Sequence, residues 1–278
     1  MYFYGDEDKE TLKTFIRDNG FLVIRNALSS SEIDIQNELF GENFESNKLT
    51  SGHTDYLPGA SHIIPEFKEL IVAPKLINTL KKVCDGDLAY TSHSDLHNGL
   101  SSGWHKDDGG GGYFGALTDY FENNEVQVYK VGLYLQDCTE YGGLSVRKGS
   151  HKQLNDIHHD RLDISNRCDD NQVYIPSRVG DAIIFDVRIT HKGWYPEKSF
   201  TGKIITKILK KVGFKIRKKK VPFQRKSVFF SYGTNNKYTK EFALKNMERQ
   251  VKQNGFDISV MPPTLRSTLE ENIIKYYF

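Results

Sequence analysis

The segments VQVYKVGLYLQD (126–137) and GGLSVRKG (142–149) decide the predicted fold. Both are short, rich in β-branched and aromatic residues, and punctuated by glycine, which is typical of strands. Further segments of this kind lie at 88–97, 171–176, 181–187 and 227–233. Because no helices alternate with them, they predict a mainly β protein, a double-stranded β-helix of the jelly-roll, cupin-like barrel type with flanking helices.

Helices are predicted on both sides of the strands. Helical patterns lie at 8–18, from Ser29 onward, at 65–83 with an interruption near Pro74, at 238–253 and at 263–276, and a short strand lies at 21–28. Asn19-Gly20 is a helix stop signal, and the serines from Ser29 can cap the first amides of a helix. Since no repeat or clear linker divides the chain, we expect one domain over residues 1–278.

The small net charge of +2 conceals a strongly basic segment. Between Lys198 and Lys240 there are 14 Lys and Arg residues and no Asp or Glu. Residues 203–220 combine helical apolar spacing with lysines, which predicts a basic amphipathic helix. Four readings remain open: a solvated lysine face, attraction of an anionic or lipid-linked small substrate, peripheral membrane contact, and nucleic-acid binding. The last is not expected, because no recognised motif accompanies the charge.

Cysteine usage and the N-terminal sequence indicate the compartment. Cys84, Cys138 and Cys168 lie far apart and form no CxxC pair, which favours reduced thiols. The first residues do not have the pattern of a signal peptide, and no apolar run approaches the roughly 18 residues that span a bilayer. We expect a soluble, cytoplasmic protein.

A histidine, a carboxylate and a second histidine are the usual three-ligand set for non-haem Fe(II). The pattern His-x-Asp occurs four times, at His53/Asp55, His93/Asp95, His105/Asp107 and His158/Asp160. The first and last pairs lie in polar stretches that predict loops or, for the last, a short surface helix.

The two central pairs are the real candidates. On a strand, residues two apart share a face, so either pair could direct both side chains to one ion. His93 and Asp95 could instead line a polar pocket beside the metal or face water. His105 and Asp107 are favoured because they run into four glycines, which leave room for a substrate. His191, just after an apolar strand, is the distal candidate.

Several segments, taken in order, resemble the phytanoyl-CoA dioxygenase-like family of Fe(II)/2-oxoglutarate-dependent oxygenases. They are WHKD (104–107), KVGLYLQD (130–137), GGLSVRKGSHK (142–152), GDAIIFDVRITHKG (180–193) and RKSVFFSYG (225–233). The resemblance selects WHKD from among the His-x-Asp pairs. It implies that His105, Asp107 and His191 bind iron and that Arg225 holds the distal carboxylate of 2-oxoglutarate. Lys130, His93 and His97 would be secondary residues of the cofactor pocket.

The resemblance also implies the reaction. O2 and 2-oxoglutarate would be consumed, succinate and CO2 released, and a C–H bond of a small molecule hydroxylated. Asp107 argues against a halogenase, whose iron site has a small residue at that position. Compared with the family, residues at about 201–224 are interpreted as a basic insertion. The alternative function is a catalytically silent barrel that acts as a binding or regulatory module through this basic insertion.

Two departures from the family pattern concern the cosubstrate. Arg225 follows His191 by 34 residues, which is farther than usual, and Lys203 has the conventional spacing. Arg225 is preferred because it immediately precedes the matching strand and can make a forked contact. Gly193 stands where many relatives have a serine whose hydroxyl helps to hold the cosubstrate.

Overall fold

The described part of the chain covers all of the predicted strands. The computed structural model describes residues 7–51, 54–99, 103–114, 123–140, 142–152, 171–193, 225–254 and 260–278. The basic insertion, including Lys203 and residues 203–220, lies outside these ranges, as do His53, Cys168 and the His158/Asp160 pair.

The helices lie mainly before and after the strands. In the described residues they are α1 (Lys9–Asn19), α2 (Ser30–Glu38), α3 (Glu42–Asn47), α4 (Ala60–Ile63), α5 (Phe67–Ile71), α6 (Pro74–Val83), α7 (Lys237–Asn254) and α8 (Pro263–Glu271). Asp8 caps α1 by accepting a hydrogen bond from the amide of Thr11, and Gly20, at φ 81°, ends it. Ser29 and Glu32 form the predicted cap of α2 as a full capping box.

The strands form two sheets. They are β1 (Phe21–Ile24), β2 (Leu49–Ser51), β3 (Thr54–Pro58), β4 (Leu88–Gly99), β5 (Val128–Tyr134), β6 (Leu144–Arg147), β7 (Gln172–Ile175), β8 (Ala182–Asp186), β9 (His191–Gly193), β10 (Lys226–Thr234) and β11 (Lys275–Tyr276). The large sheet has the order β1-β8-β5-β10-β4-β3-β2, with β11 added parallel to β4, and the small sheet has the order β7-β6-β9. All other pairings are antiparallel.

The two faces of the large sheet have different partners. Val131, Ile184 and Phe230 belong to a core cluster that contains buried residues of the helices. Phe185 and Phe229 are next in sequence to Ile184 and Phe230 and so point to the opposite face of the sheet. There they pack with Val146 and Ile175 of the small sheet. The side chains of a strand alternate between its two faces. The face of the large sheet that packs against the small sheet is the inner face. The predicted mainly β jelly roll with flanking helices is therefore confirmed.

Two local predictions were wrong. The stretch around Asp55 was predicted to be a loop, but Asp55 lies in β3, where it accepts a hydrogen bond from Thr50 Oγ1 at 2.7 Å. The helix predicted at 263–276 ends at Glu271, because Ile273 adopts φ 55° and the chain turns to form β11 beside β4. Among the described helices, none is long and apolar enough to cross a membrane.

Candidate metal centre

Three predicted ligand residues converge on the inner face. One potential ligand atom from each of His105, Asp107 and His191 lies within 4.8 Å of the others. His105 Nε2 is 3.6 Å from Asp107 Oδ1, and His191 Nε2 is 3.5 Å from Asp107 Oδ2. Within the described ranges, this is the group of such residues that meets the spacing of a metal site.

The backbone itself places the two histidines side by side. His105 and His191 form an antiparallel bridge with two amide-to-carbonyl hydrogen bonds, each of 2.9 Å. Directly opposite residues point to the same face of a sheet, so both imidazoles reach the same space. His191 is in turn paired with Val146 of β6, which ties the bridge to the small sheet.

Asp107 reaches the site by a different route from the one predicted. The prediction placed His105 and Asp107 on one strand, but the regular pairing covers a single residue and the chain then turns. The amide of Asp107 donates to the carbonyl of Val187 at 2.9 Å. This hydrogen bond to the chain beyond β8, rather than continued strand alternation, orients the carboxylate.

Hydrogen bonds to backbone carbonyls define the tautomers of both histidines. His105 Nδ1 lies 2.8 Å from the carbonyl oxygen of Gly103, and His191 Nδ1 lies 3.0 Å from that of Ile189. Because a carbonyl can only accept, each Nδ1 is assigned the proton, and in the neutral ring Nε2 carries the electron pair. Such a partner is typical of metal-binding histidines, whose ring orientation it fixes.

The charges at the site suit a divalent cation. Burial lowers the pKa of His191 to about 3, so this imidazole is neutral at pH 7. Burial by itself would raise the pKa of Asp107, but the ammonium of Lys130 is the main effect that opposes it, and the pKa lies well below its usual value. The site therefore offers an ionised carboxylate and a neutral imidazole without proton release.

The negative charge on Asp107 Oδ2 is only partly balanced by its neighbours. This oxygen is buried and has no hydrogen-bond partner, although Lys130 Nζ lies 2.9 Å away as an ion pair. A carboxylate oxygen can accept more than one partner, and a metal ion held by this carboxylate and the two imidazoles would use the capacity that remains. The donor set of two imidazoles and one carboxylate fits Fe(II).

Arg225 immediately precedes β10 and lies on the same side of the large sheet as Lys130. It is 3% exposed, and its Nε donates to the carbonyl of Gly142 at 2.7 Å. One terminal nitrogen donates to Tyr134 Oη at 3.0 Å, and the guanidinium lies 4.9 Å from the centre of that ring. The sequence did not point to Tyr134, although its spacing of four residues from Lys130 on β5 puts both on one face.

The competing pair His93/Asp95 belongs to a buried polar network. His93 Nδ1 lies 2.6 Å from Ser231 Oγ, and its Nε2 lies 3.1 Å from Asp95 Oδ2. Arg249 of α7, which the sequence did not single out, reaches the same carboxylate at 3.3 Å. Both nitrogens of His93 are thus engaged within the protein. His97 differs, because its side chain is 32% exposed and stacks on Tyr56, with ring centroids 6.1 Å apart.

Solved structures support the fold. The carbocyclase SnoK from nogalamycin biosynthesis is 16% identical, with a TM-score of 0.54, 84% of this chain covered and 87% of SnoK. The epimerase SnoN from the same biosynthesis is 14% identical, with a TM-score of 0.52 and 81% of each chain covered. Both are described as non-haem and α-ketoglutarate-dependent.

A third solved structure was crystallised with a metal and a cosubstrate. HygX from Streptomyces hygroscopicus, with nickel and 2-oxoglutarate bound, is 16% identical, with a TM-score of 0.53, 80% of this chain covered and 85% of HygX. No curated protein sequence matches this chain.

The family assignment rests on the sequence match. A model of the family described as phytanoyl-CoA dioxygenase (PhyH) matches residues 16–194, which is well over half of the chain. The matched range contains His105, Asp107 and His191, whereas Arg225 and α7 lie beyond it. The chain therefore belongs to the phytanoyl-CoA dioxygenase (PhyH) family.

Proposed function

We propose that this protein is an Fe(II)- and 2-oxoglutarate-dependent dioxygenase that hydroxylates a C–H bond of a small molecule. The observation that carries the proposal is the convergence of His105, Asp107 and His191 within 4.8 Å. His105 and His191 would bind iron through Nε2, and Asp107 through its carboxylate. Bound iron together with 2-oxoglutarate supplies the activation of O2 and the oxidative decarboxylation that yields succinate and CO2.

The residues that would hold 2-oxoglutarate lie along β5 and at its end. Lys130, Gly132 and Tyr134 are spaced by two along this strand and so share its inner face. Lys130 places a positive charge beside the metal ligand Asp107, and Tyr134 positions Arg225 at the opposite end of the strand. A dicarboxylate lying along β5 would have its distal carboxylate at Arg225. The guanidinium can then form a charge-assisted, forked contact.

Unequal exposure indicates where the substrate enters. The side chain of His105 is 36% exposed, whereas that of His191 is 5% exposed. Phe185 packs directly on the His191 ring, with centroids 4.9 Å apart, and excludes water from that side. The substrate therefore approaches from the side of His105, and His97 is the partly exposed histidine of the predicted pocket wall. An anionic or lipid-linked substrate stays a prediction, because it depends on residues 203–220.

Succinate release from 2-oxoglutarate under air tests the proposal. The wild-type protein loaded with Fe(II) is expected to release succinate slowly even without the substrate, and His105→Ala and Asp107→Asn are expected to abolish this. Asp55→Asn is the matched control, since Asp55, the carboxylate of another His-x-Asp pair, lies on β3. If the wild type binds neither Fe(II) nor 2-oxoglutarate and His105→Ala changes nothing, the protein is a silent barrel and the proposal is wrong.

A further inference from the structure

The stretch WHKD carries two kinds of residue in alternation. His105 and Asp107 face the candidate metal centre. Lys106 faces away, and its ammonium donates to the carbonyls of Ser150 at 2.6 Å and Arg188 at 2.5 Å. Trp104 also lies on the outer side of the small sheet, since it contacts residues whose neighbours in sequence point inward.

Those contacts form a stack of two cations on one indole ring. Lys192 Nζ lies 4.8 Å from the centre of the Trp104 ring, and the guanidinium carbon of Arg147 lies 5.2 Å from it. Lys192 directly follows His191, and Arg147 directly follows Val146, the register partner of His191. The ring therefore connects the segment of His105 to both strands that carry or support the other histidine.

The stack lies beside a single backbone bridge. Within the described residues, the segment of His105 pairs with the small sheet only through His105 and His191, and the amides of Asp107 and Asp108 then bond to Val187 beyond β8. Side-chain contacts across the bridge therefore contribute to the orientation of the two segments. Cation–π contacts across the same two segments restrict their relative movement, because the cations are attracted to the face of the ring.

We infer that Trp104, held by Lys192 and Arg147, is a positioning residue that fixes the two histidines of the metal centre in register. This inference rests on the proposed metal site. It concerns the outer face of the small sheet, opposite the face of the candidate metal centre. Removing the stack is expected to loosen the relative orientation of His105 and His191 and so to weaken metal binding.

If Lys192 acted only through its charge, Lys192→Met would change the metal affinity in the opposite direction. Lys192 adjoins a metal ligand, so its charge repels a dication, and Lys192→Met would then tighten metal binding. If Lys192 acts by holding the Trp104 ring, Lys192→Met weakens metal binding. Residues that orient metal ligands typically affect metal affinity about 10- to 100-fold. The direction of the change therefore separates the two accounts.

Titration with Co(II) as the probe, followed by its visible absorption, tests the inference without any turnover. We expect Lys192→Met and Trp104→Leu to weaken Co(II) binding about 10-fold or more and to alter the ligand-field bands of the bound ion. Trp104→Phe, which keeps an aromatic face, is expected to restore most of the affinity and the wild-type bands. A loss of stability alone would leave the spectrum of the folded, loaded fraction unchanged.

Lys237→Met is the matched control. Lys237 also lies 4.8 Å from the centre of an aromatic ring, that of Tyr238, but on α7 away from the bridge, so Co(II) binding should not change. If Trp104→Leu does not fold, Lys192→Met decides alone. Unchanged or tighter Co(II) binding by Lys192→Met overturns the inference, whereas a wild type that binds no Co(II) overturns the proposed metal site itself.

Discussion

The proposed contact of Arg225 with 2-oxoglutarate can be tested quantitatively by replacing Arg225 with glutamine. Arg225 is almost fully buried, and its orientation is fixed by Gly142 and Tyr134 at 2.7 and 3.0 Å. Removing one member of a buried, hydrogen-bonded charge pair costs about 2–5 kcal/mol. Affinity for 2-oxoglutarate should therefore fall at least 30-fold, by roughly the factor that 2 kcal/mol represents.

Two milder variants are expected to lose less affinity for 2-oxoglutarate. Arg225→Lys keeps the charge but loses the fork, so it should bind 2-oxoglutarate more weakly than the wild type and better than Arg225→Gln. Tyr134→Phe keeps the ring under the guanidinium and removes one hydrogen bond to a charged group, which is worth about 1.5 kcal/mol, or about tenfold.

Anaerobic calorimetric titration of 2-oxoglutarate into the Co(II)-loaded protein measures these affinities. Lys203→Gln is the informative comparison, because Lys203 is the alternative anchor. If Lys203→Gln lost affinity while Arg225→Gln bound like the wild type, the assignment of the anchor would be refuted. Thermal unfolding of each variant separates loss of binding from loss of folded protein.

Three further predictions concern charge, pH and packing. Lys130→Met should tighten Co(II) binding and weaken 2-oxoglutarate binding, each roughly tenfold, because the ammonium repels the dication and attracts the dianion; paired titrations check this. Burial lowers the pKa of His62 to about 4 from 6.5, so between pH 6.5 and pH 4 the unfolded chain binds a proton that the folded protein does not. The free energy of unfolding therefore falls as the pH drops through this range, by up to about 3 kcal/mol. Urea unfolding across pH 4–7 should show this loss in the wild type and not in His62→Asn, whose stability relative to the wild type should stop changing near pH 7. Gly132→Ala should cost about 1–3 kcal/mol in urea unfolding, because its Cβ would lie 2.9 Å from Phe229 Cε1.

Much of the fold was accessible from the sequence because strands and helix ends are encoded locally. The capping box at Ser29 and the stop at Gly20 depend on residues only a few positions apart. The end of α8 was predicted wrongly because Ile273 takes a left-handed conformation, which its type does not favour. Nothing local in the sequence announces that departure.

The candidate site was accessible only in part. Residue types and the family resemblance pointed to His105, Asp107 and His191, which the structure brings together. Tyr134 carried a weak signal, its spacing from Lys130. Arg249 carried none, because its contact with Asp95 joins α7 to β4 across most of the chain.

The sequence alone determined which residue types were available and which strand positions share a face, since both depend on neighbours along the chain. It contained four His-x-Asp pairs and could not by itself show which one meets His191. Tertiary structure decided this through the bridge between His105 and His191, while Arg249 and Ser231 engaged the pair His93/Asp95. The physical reason is that a metal centre needs ligands from distant segments within a few ångströms, and only long-range strand pairing and packing set that distance.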